Sequence, residues 1–402
     1  MHTDKLLTKT AIAFGLVLYL MSFMAVKIGI VQLGQMAILM YFIYALGSDI
    51  RHRSVDIKLL LFFSFFGVLM TLVSFASPEP KIDEFKFIIK YLLIFPAAFY
   101  IGQWAVRNVE PKMFIRMIEI VLFIYVVTAF ILYYYPLSSI MHIRPDMDDF
   151  MGTFFEPVNY AIATGIFVLT SYLLRHDEGL YPSRKVYALY IFTLLGLIMS
   201  HNKTIWIAYL GLGLFFLIIK WFIIQTNKTI NSVSGLSRIH SGQYFLILTG
   251  VIMILFLVNN LMPNPIVSWE MIQLKLESER GKAFFIALDL LGNSDWIGGY
   301  GFGYVQYFFS RFPDGVIGLG DWVGMIFNSY LDVWISAGII GLLFHLTLLR
   351  ISYKTMTLLS MALPIYLFLF ANTNPVIGSE YYYLFLGISY GWAQYQTTKE
   401  NR

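Results

Sequence analysis

The chain has 402 residues, of which 58% are hydrophobic and only 13% charged, with a formal net charge of +4 and a mean hydropathy of +0.70. A soluble domain carries roughly 25% charged residues, so a chain this apolar cannot cover its own surface in water and takes the bilayer as its solvent. Cysteine is absent, which excludes disulfide staples, thiolate catalysis and thiolate metal sites.

Lys5 and Lys9 lead into the first apolar run, as in a signal peptide. No small-residue cleavage site follows, and a second run begins after a tight turn at Lys27–Gly29, so the segment reads as an uncleaved first helix. Runs of about 20 mostly apolar residues, the length that crosses a bilayer, begin near Ala11, Ile30, Leu59, Phe87, Met113, Val158, Val186, Thr204, Tyr244, Val323, Met356 and Tyr381. They predict an all-α polytopic membrane protein of about twelve transmembrane helices. No internal repeat or separate soluble core interrupts residues 1–402, which read as one membrane domain. With the N-terminus in the cytoplasm, most of the 28 Lys and Arg fall on cytoplasmic segments, among them Arg51, Arg53, Arg107, Arg175, Arg350 and Lys399. That bias satisfies the positive-inside rule with both termini in the cytoplasm.

Three outer segments exceed a tight turn: Pro136–Pro157, Ser200–Thr204 and Met262–Trp322. The last, over residues 262–322, is a large outer loop of roughly sixty residues, and loops of that length are usually functional. Its first half, Met271–Leu291, reads as an interfacial helix, because apolar Ile272, Leu276, Phe284 and Leu288 alternate with Lys275, Glu279 and Lys282.

Chemistry concentrates on this outer side. Arg144, Lys203, Lys275, Arg280, Lys282 and Arg311 run against the positive-inside trend. A guanidinium matches phosphate oxygens as a fork and stabilises a departing pyrophosphate; the plain alternative is surface ion pairing, such as Glu277 with Arg280. In MGTFFEPVNY, Glu156 and Asn159 flank Pro157, a residue that often starts a helix. Glu156 reads either as a base or as a carboxylate stabilised by the helix dipole. In SHNKTIW, His201 lacks a second ligand nearby, so no metal site is expected, and Lys203 reads alternatively as a snorkelling interfacial cation. Gly298, Gly299, Gly301 and Gly303 in WIGGYGFGYV lack the strand and helix of a nucleotide-binding loop; they predict a tight backbone turn against a membrane or sugar surface. In GDWVGMIFNSYLDVWISAGIIG, helical spacing puts Asp321, Asn328, Asp332 and Ser336 within about 80° of one another. A polar stripe in a span lines a cavity or, in the plainer reading, glues helices together.

These segments carry a family resemblance. GTFFEPVNYA, SHNKTIWIAYL, ERGKAFFIAL followed by WIGGYGFGY, and FNSYLDVWISAGIIGLL occur in the order found in the bacterial O-antigen polymerase and O-antigen ligase superfamily, which this chain resembles over most of its length. The resemblance implies a metal-independent, cofactor-free membrane glycosyltransferase of the Wzy type, a polysaccharide polymerase. Such an enzyme joins undecaprenyl-pyrophosphate-linked repeat units on the outer face of the bacterial cytoplasmic membrane, with a chain-length regulator and a flippase as further partners and no role for nucleic acid. Carried over to this chain, Arg280 with Arg144, Lys203 or Arg311 would hold the leaving pyrophosphate. Glu156, Asp321 or Asp332 would accept the proton of the acceptor hydroxyl, and Asn159, Asn328 and Tyr330 would contact substrate. Phe327 stands where ligases usually carry a histidine, which favours polymerase over ligase. A transporter of lipid-linked sugars is the non-enzyme alternative, and it should show interrupted helices in matching halves.

Overall fold

The computed structural model describes residues 2–23, 27–28, 31–134, 157–200, 203–226, 279–293, 298–311, 326, 328–354, 357–372, 374 and 376–400. Apart from a two-residue antiparallel pairing of Lys27–Ile28 with Val31–Gln32, where the tight turn is expected, the regular elements among them are helices. Among the described residues, five helical stretches are long and apolar enough to cross a membrane: Leu33–His52, Ile57–Ala76, Glu84–Asn108, Pro111–Tyr134 and Ser329–Ser352. This is the architecture of an α-helical polytopic membrane protein. Every apolar run expected from the sequence coincides with a described helix, except the one near Tyr244, which lies outside the described residues. Several of those helices are too short or too polar to meet the same criterion; Lys9–Leu20, Ile205–Phe216 and Leu358–Ala371 are apolar but short.

Helix α1 (His2–Leu20) packs beside α2 (Leu33–His52). Helix α3 (Ile57–Ala76) starts where the Asp56 carboxylate accepts the Leu59 N–H at 3.1 Å, an N-cap that satisfies one of the helix's orphan donors. Along α3, Leu61, Phe65, Val68, Leu72 and Phe75 are each 50–63% exposed. They recur every three or four residues, so they form one outward apolar stripe, which is stable only against lipid chains. The next run has three parts: α4 (Glu84–Ile89), a π-helical turn (Lys90–Ile94) and α5 (Phe95–Asn108). Pro96 explains the wide turn, because it has no N–H to give the Leu92 carbonyl.

Helices α6 (Pro111–Tyr134), α7 (Pro157–Asp177) and α8 (Arg184–Met199) form a second group, followed by α9 (Lys203–Thr226). Arg175 on α7 grips Glu119 on α6 through both carboxylate oxygens, at 2.5 and 2.9 Å. Ser171 donates to the same carboxylate at 2.8 Å and meets the Tyr190 hydroxyl of α8. The late segment contributes α10 (Glu279–Asn293) and the short α11 (Tyr304–Ser310), and the chain continues in α12 (Ser329–Ser352), α13 (Leu358–Ala371) and α14 (Glu380–Glu400). The first half of α14 is buried on every side and lies against α5. Their backbones touch: a Cβ on Gly102 would stand 2.2 Å from the Leu384 carbonyl oxygen, and one on Gly387 2.0 Å from that of Phe99. Small residues at such a crossing let membrane helices gain packing energy where the hydrophobic effect offers none.

Candidate functional site

The N-termini of α2, α4, α12 and α14 share one end of the bundle, hereafter the upper end. Helix α12 is broken there. Gly338 has φ 62° and ψ −160°, a conformation open to glycine alone. A break frees carbonyls of the preceding turn, and the glycine turn takes them up. Tyr300 N–H donates to Ile335 O, and Gly301 N–H to Ser336 O, both at 2.8 Å. Gly299, Gly301 and Gly303 all have positive φ, and a Cβ on Gly299 would stand 2.5 Å from Gly338 N. Gly299 and Gly303 therefore serve backbone-to-backbone joints within the protein.

The same turn is held from its other side by the last turn of α3 and the loop that follows it. Ser77 Oγ donates to Tyr300 O at 2.7 Å, Phe302 N–H donates to Ser74 Oγ at 2.9 Å, and Ile82 N–H donates to Gly303 O at 3.2 Å. Lys81 lies against Gly301, donates to the carbonyls of Ser74 and Ser77 at 2.5 and 2.9 Å, and pairs with Glu84 at 3.3 Å. Phe302 stacks on Tyr91 of the π-helical turn, with ring centroids 4.8 Å apart. The Tyr91 hydroxyl in turn meets His345 Nε2 of α12 at 3.2 Å. Lys90, on that same turn, pairs with Glu380 at 3.5 Å, and Glu380 accepts from Gln35 Nε2 at 2.6 Å. Two interrupted helices thus meet at one polar centre.

At the head of α12, Asn328 is the N-cap: its side chain accepts from Leu331 N–H at 3.0 Å and donates to Asn372 Oδ1 at 3.4 Å. The polar stripe expected to include Asn328 therefore begins only at Asp332, since Asn328 has extended backbone. Tyr330 is buried with its hydroxyl 3.4 Å from that of Tyr382. Asp332 meets the Ser336 hydroxyl at 3.5 Å, the outer limit of a hydrogen bond, and has no cationic partner among the described residues. Arg280 lies in the first turn of α10. Further along that helix, Ala283 and Ala287 pack in one cluster with Leu331 and Ile335 of α12. The opposite face carries exposed Phe284, Phe285 and Leu288, as an interfacial helix requires. The side chain of Arg280 lies outside the described residues, as do that of Lys203, at the start of α9, and the whole of Arg144, Glu156 and Asp321. Asn159 is half-buried in the first turn of α7. Arg311 is exposed over the Tyr307 ring, 5.5 Å from its centroid.

The structure therefore gathers Asp332, Asn328, Tyr330 and the helix of Arg280 at one end, beside the glycine turn. Sequence reasoning missed Lys81, Glu84, Lys90 and Glu380. Lys81, Lys86 and Lys90 carried a usable signal, because they run against the positive-inside trend just as Arg144 and Arg280 do. Gln35, Tyr91 and His345 carried none, since their meeting depends on helix packing. Among the described residues, no three His, Cys, Asp or Glu gather as metal ligands would. Compared with known proteins, the chain matches no family model and no curated protein.

Proposed function

We propose that this chain is a membrane glycosyltransferase that polymerises undecaprenyl-pyrophosphate-linked repeat units at the upper end of the bundle. In this reading it has about twelve spans, both termini in the cytoplasm and residues 262–322 outside. The observation that carries the reading is Asp332: a carboxylate in the first turn of a spanning helix, beside a rigidly held glycine turn, whose one side-chain hydrogen-bond partner among the described residues is the Ser336 hydroxyl. Intramembrane carboxylates are rare, and they mark functional paths when no structural partner accounts for them. The acceptor sugar hydroxyl attacks the anomeric carbon of the donor and its proton passes to Asp332. The carbon–oxygen bond to pyrophosphate breaks, and Arg280 neutralises the departing charge. Tyr300 and Tyr304, stacked at 4.3 Å, supply amphipathic rings at the membrane surface.

One observation favours a second reading. The breaks at Lys90–Ile94 and Gly338 meet through Tyr91 and His345, and paired interrupted helices are a mark of transporters. Disrupting the gene and running the surface polysaccharide on a gel separates the cases. A product of single repeat units is the expected result. Bare lipid A core would instead mean a ligase, and lipid-linked repeats retained on the cytoplasmic leaflet would mean a transporter.

A further inference from the structure

The opposite, lower end of the bundle holds an open cleft of about 480 Å³ lined by Ser54, Asp56, Arg107, Gln394, Thr397 and Thr398. Asp56 is the N-cap of α3, and Arg107 lies in the last turn of α5. Both helices belong to stretches long enough to span a bilayer, so the cleft lies where a span leaves the hydrocarbon, at the depth of lipid headgroups. Its charges are unusual in not meeting. Asp56 accepts from Leu59 N–H at 3.1 Å, from Gln103 Nε2 at 3.2 Å and from the Tyr390 hydroxyl at 3.5 Å, all neutral donors. Arg107 has no hydrogen-bond or ion-pair partner among the described residues and is only half exposed. Gln103, 1% exposed, bridges Asp56 and Gln394 through its amide nitrogen and leaves its own oxygen unpartnered. The two opposite charges line one half-open cleft, yet no ion pair joins them among the described residues.

We propose that this cleft binds the headgroup of a zwitterionic aminophospholipid, with the lipid phosphate on Arg107 and the primary ammonium on Asp56. A guanidinium takes phosphate oxygens as a fork. A primary ammonium offers three donors, which a carboxylate with spare lone pairs accepts, whereas a quaternary choline offers none. The acyl chains run along the outward apolar stripe of α3, where Leu61 and Phe65 follow Asp56 by about one and a half and two and a half turns.

The test uses the purified full-length protein in detergent, with its melting temperature followed while phosphatidylethanolamine, phosphatidylcholine or phosphatidylglycerol is added at equal concentration. Ligand binding to the folded state raises stability in proportion to occupancy. Phosphatidylethanolamine is expected to raise the melting temperature beyond the other two. Arg107→Gln and Asp56→Asn should each weaken that specific response roughly tenfold in apparent affinity, the loss of one charge-assisted contact. Asn still caps a helix, so Asp56→Asn keeps α3 intact. Three lipids acting alike, or a specific response that survives both substitutions, would overturn the proposal. So would soluble phosphoethanolamine matching the lipid, since the ligand would then be a small metabolite.

Discussion

Gly299→Ala should undo the joint between the glycine turn and α12 without unfolding the bundle. At φ 71° the new side chain adopts a left-handed conformation, which costs about 1 kcal/mol. Its Cβ would also stand 2.5 Å from Gly338 N and 2.9 Å from Ile335 O. Both neighbours are backbone, so the turn must withdraw. Withdrawal breaks the bonds from Tyr300 and Gly301 to Ile335 O and Ser336 O, each contributing about 1 kcal/mol. The sum is about 3 kcal/mol of local stability, or on the order of a hundredfold in the opening equilibrium. Hydrogen–deuterium exchange of a peptide over residues 298–303 reads this directly, and the amides of Tyr300 and Gly301 should exchange on the order of a hundredfold faster. Gly292→Ala is the control, because nothing lies within 4 Å of its Cβ. Unchanged protection at Tyr300 and Gly301 in well-folded Gly299→Ala would refute the joint.

Asp332→Asn should abolish chain extension at normal membrane abundance while leaving the melting temperature in detergent unlowered; a large thermal loss would make Asp332 a structural residue. Glu119→Ala strands Arg175 in a site where its side chain is 14% exposed, so it should destabilise by about 3 kcal/mol, read as a lower melting temperature. A change within error would mean that solvent satisfies Arg175. Arg280→Ala should stop polymerisation and Arg280→Lys should leave weak activity, since an ammonium lacks the paired geometry; a normal ladder of chain lengths from Arg280→Ala removes it from the site. An alkaline phosphatase fusion after Asn293 should be active and one after Asn231 inactive, and the reverse result would invert the topology.

The helical class and the place of nearly every described helix were legible because the bilayer imposes them: a span must be long, apolar and internally hydrogen-bonded. The breaks were not legible. Pro96 follows the π-helical turn, yet proline within a span often causes only a kink, and Gly338 reads as one of several small residues in an apolar run. What makes both breaks tolerable is non-local. The carbonyls freed at Gly338 are satisfied by a turn about 35 residues earlier in the chain, and no periodicity reports such a pairing. Asp332 was legible because a carboxylate in an apolar run needs a reason. Glu380 was not, because it stands next to a span boundary, where acids at helix N-termini are ordinary.

The described carboxylates at the membrane level differ in how they are compensated. Glu84 faces Lys81, Glu380 faces Lys90 with a further bond from Gln35, and Glu119 is clasped by Arg175. Asp49 accepts from Tyr100, Trp104 and Ser54, so three neutral donors stand in for a cation. In each case the protein has answered the desolvation of the charge, and the result ties two or more elements together. Among the described residues Asp332 receives only the long contact from Ser336, a residue of its own helix. A charge placed in a spanning helix costs about 2.5–3.5 kcal/mol on insertion scales, and asparagine would fill the same volume without that cost. A structural partner accounts for the first four carboxylates, and none among the described residues does so for Asp332. The proton-accepting role proposed for it rests on that contrast, and on its place in the first turn of a helix whose next two turns are pinned by the glycine joint.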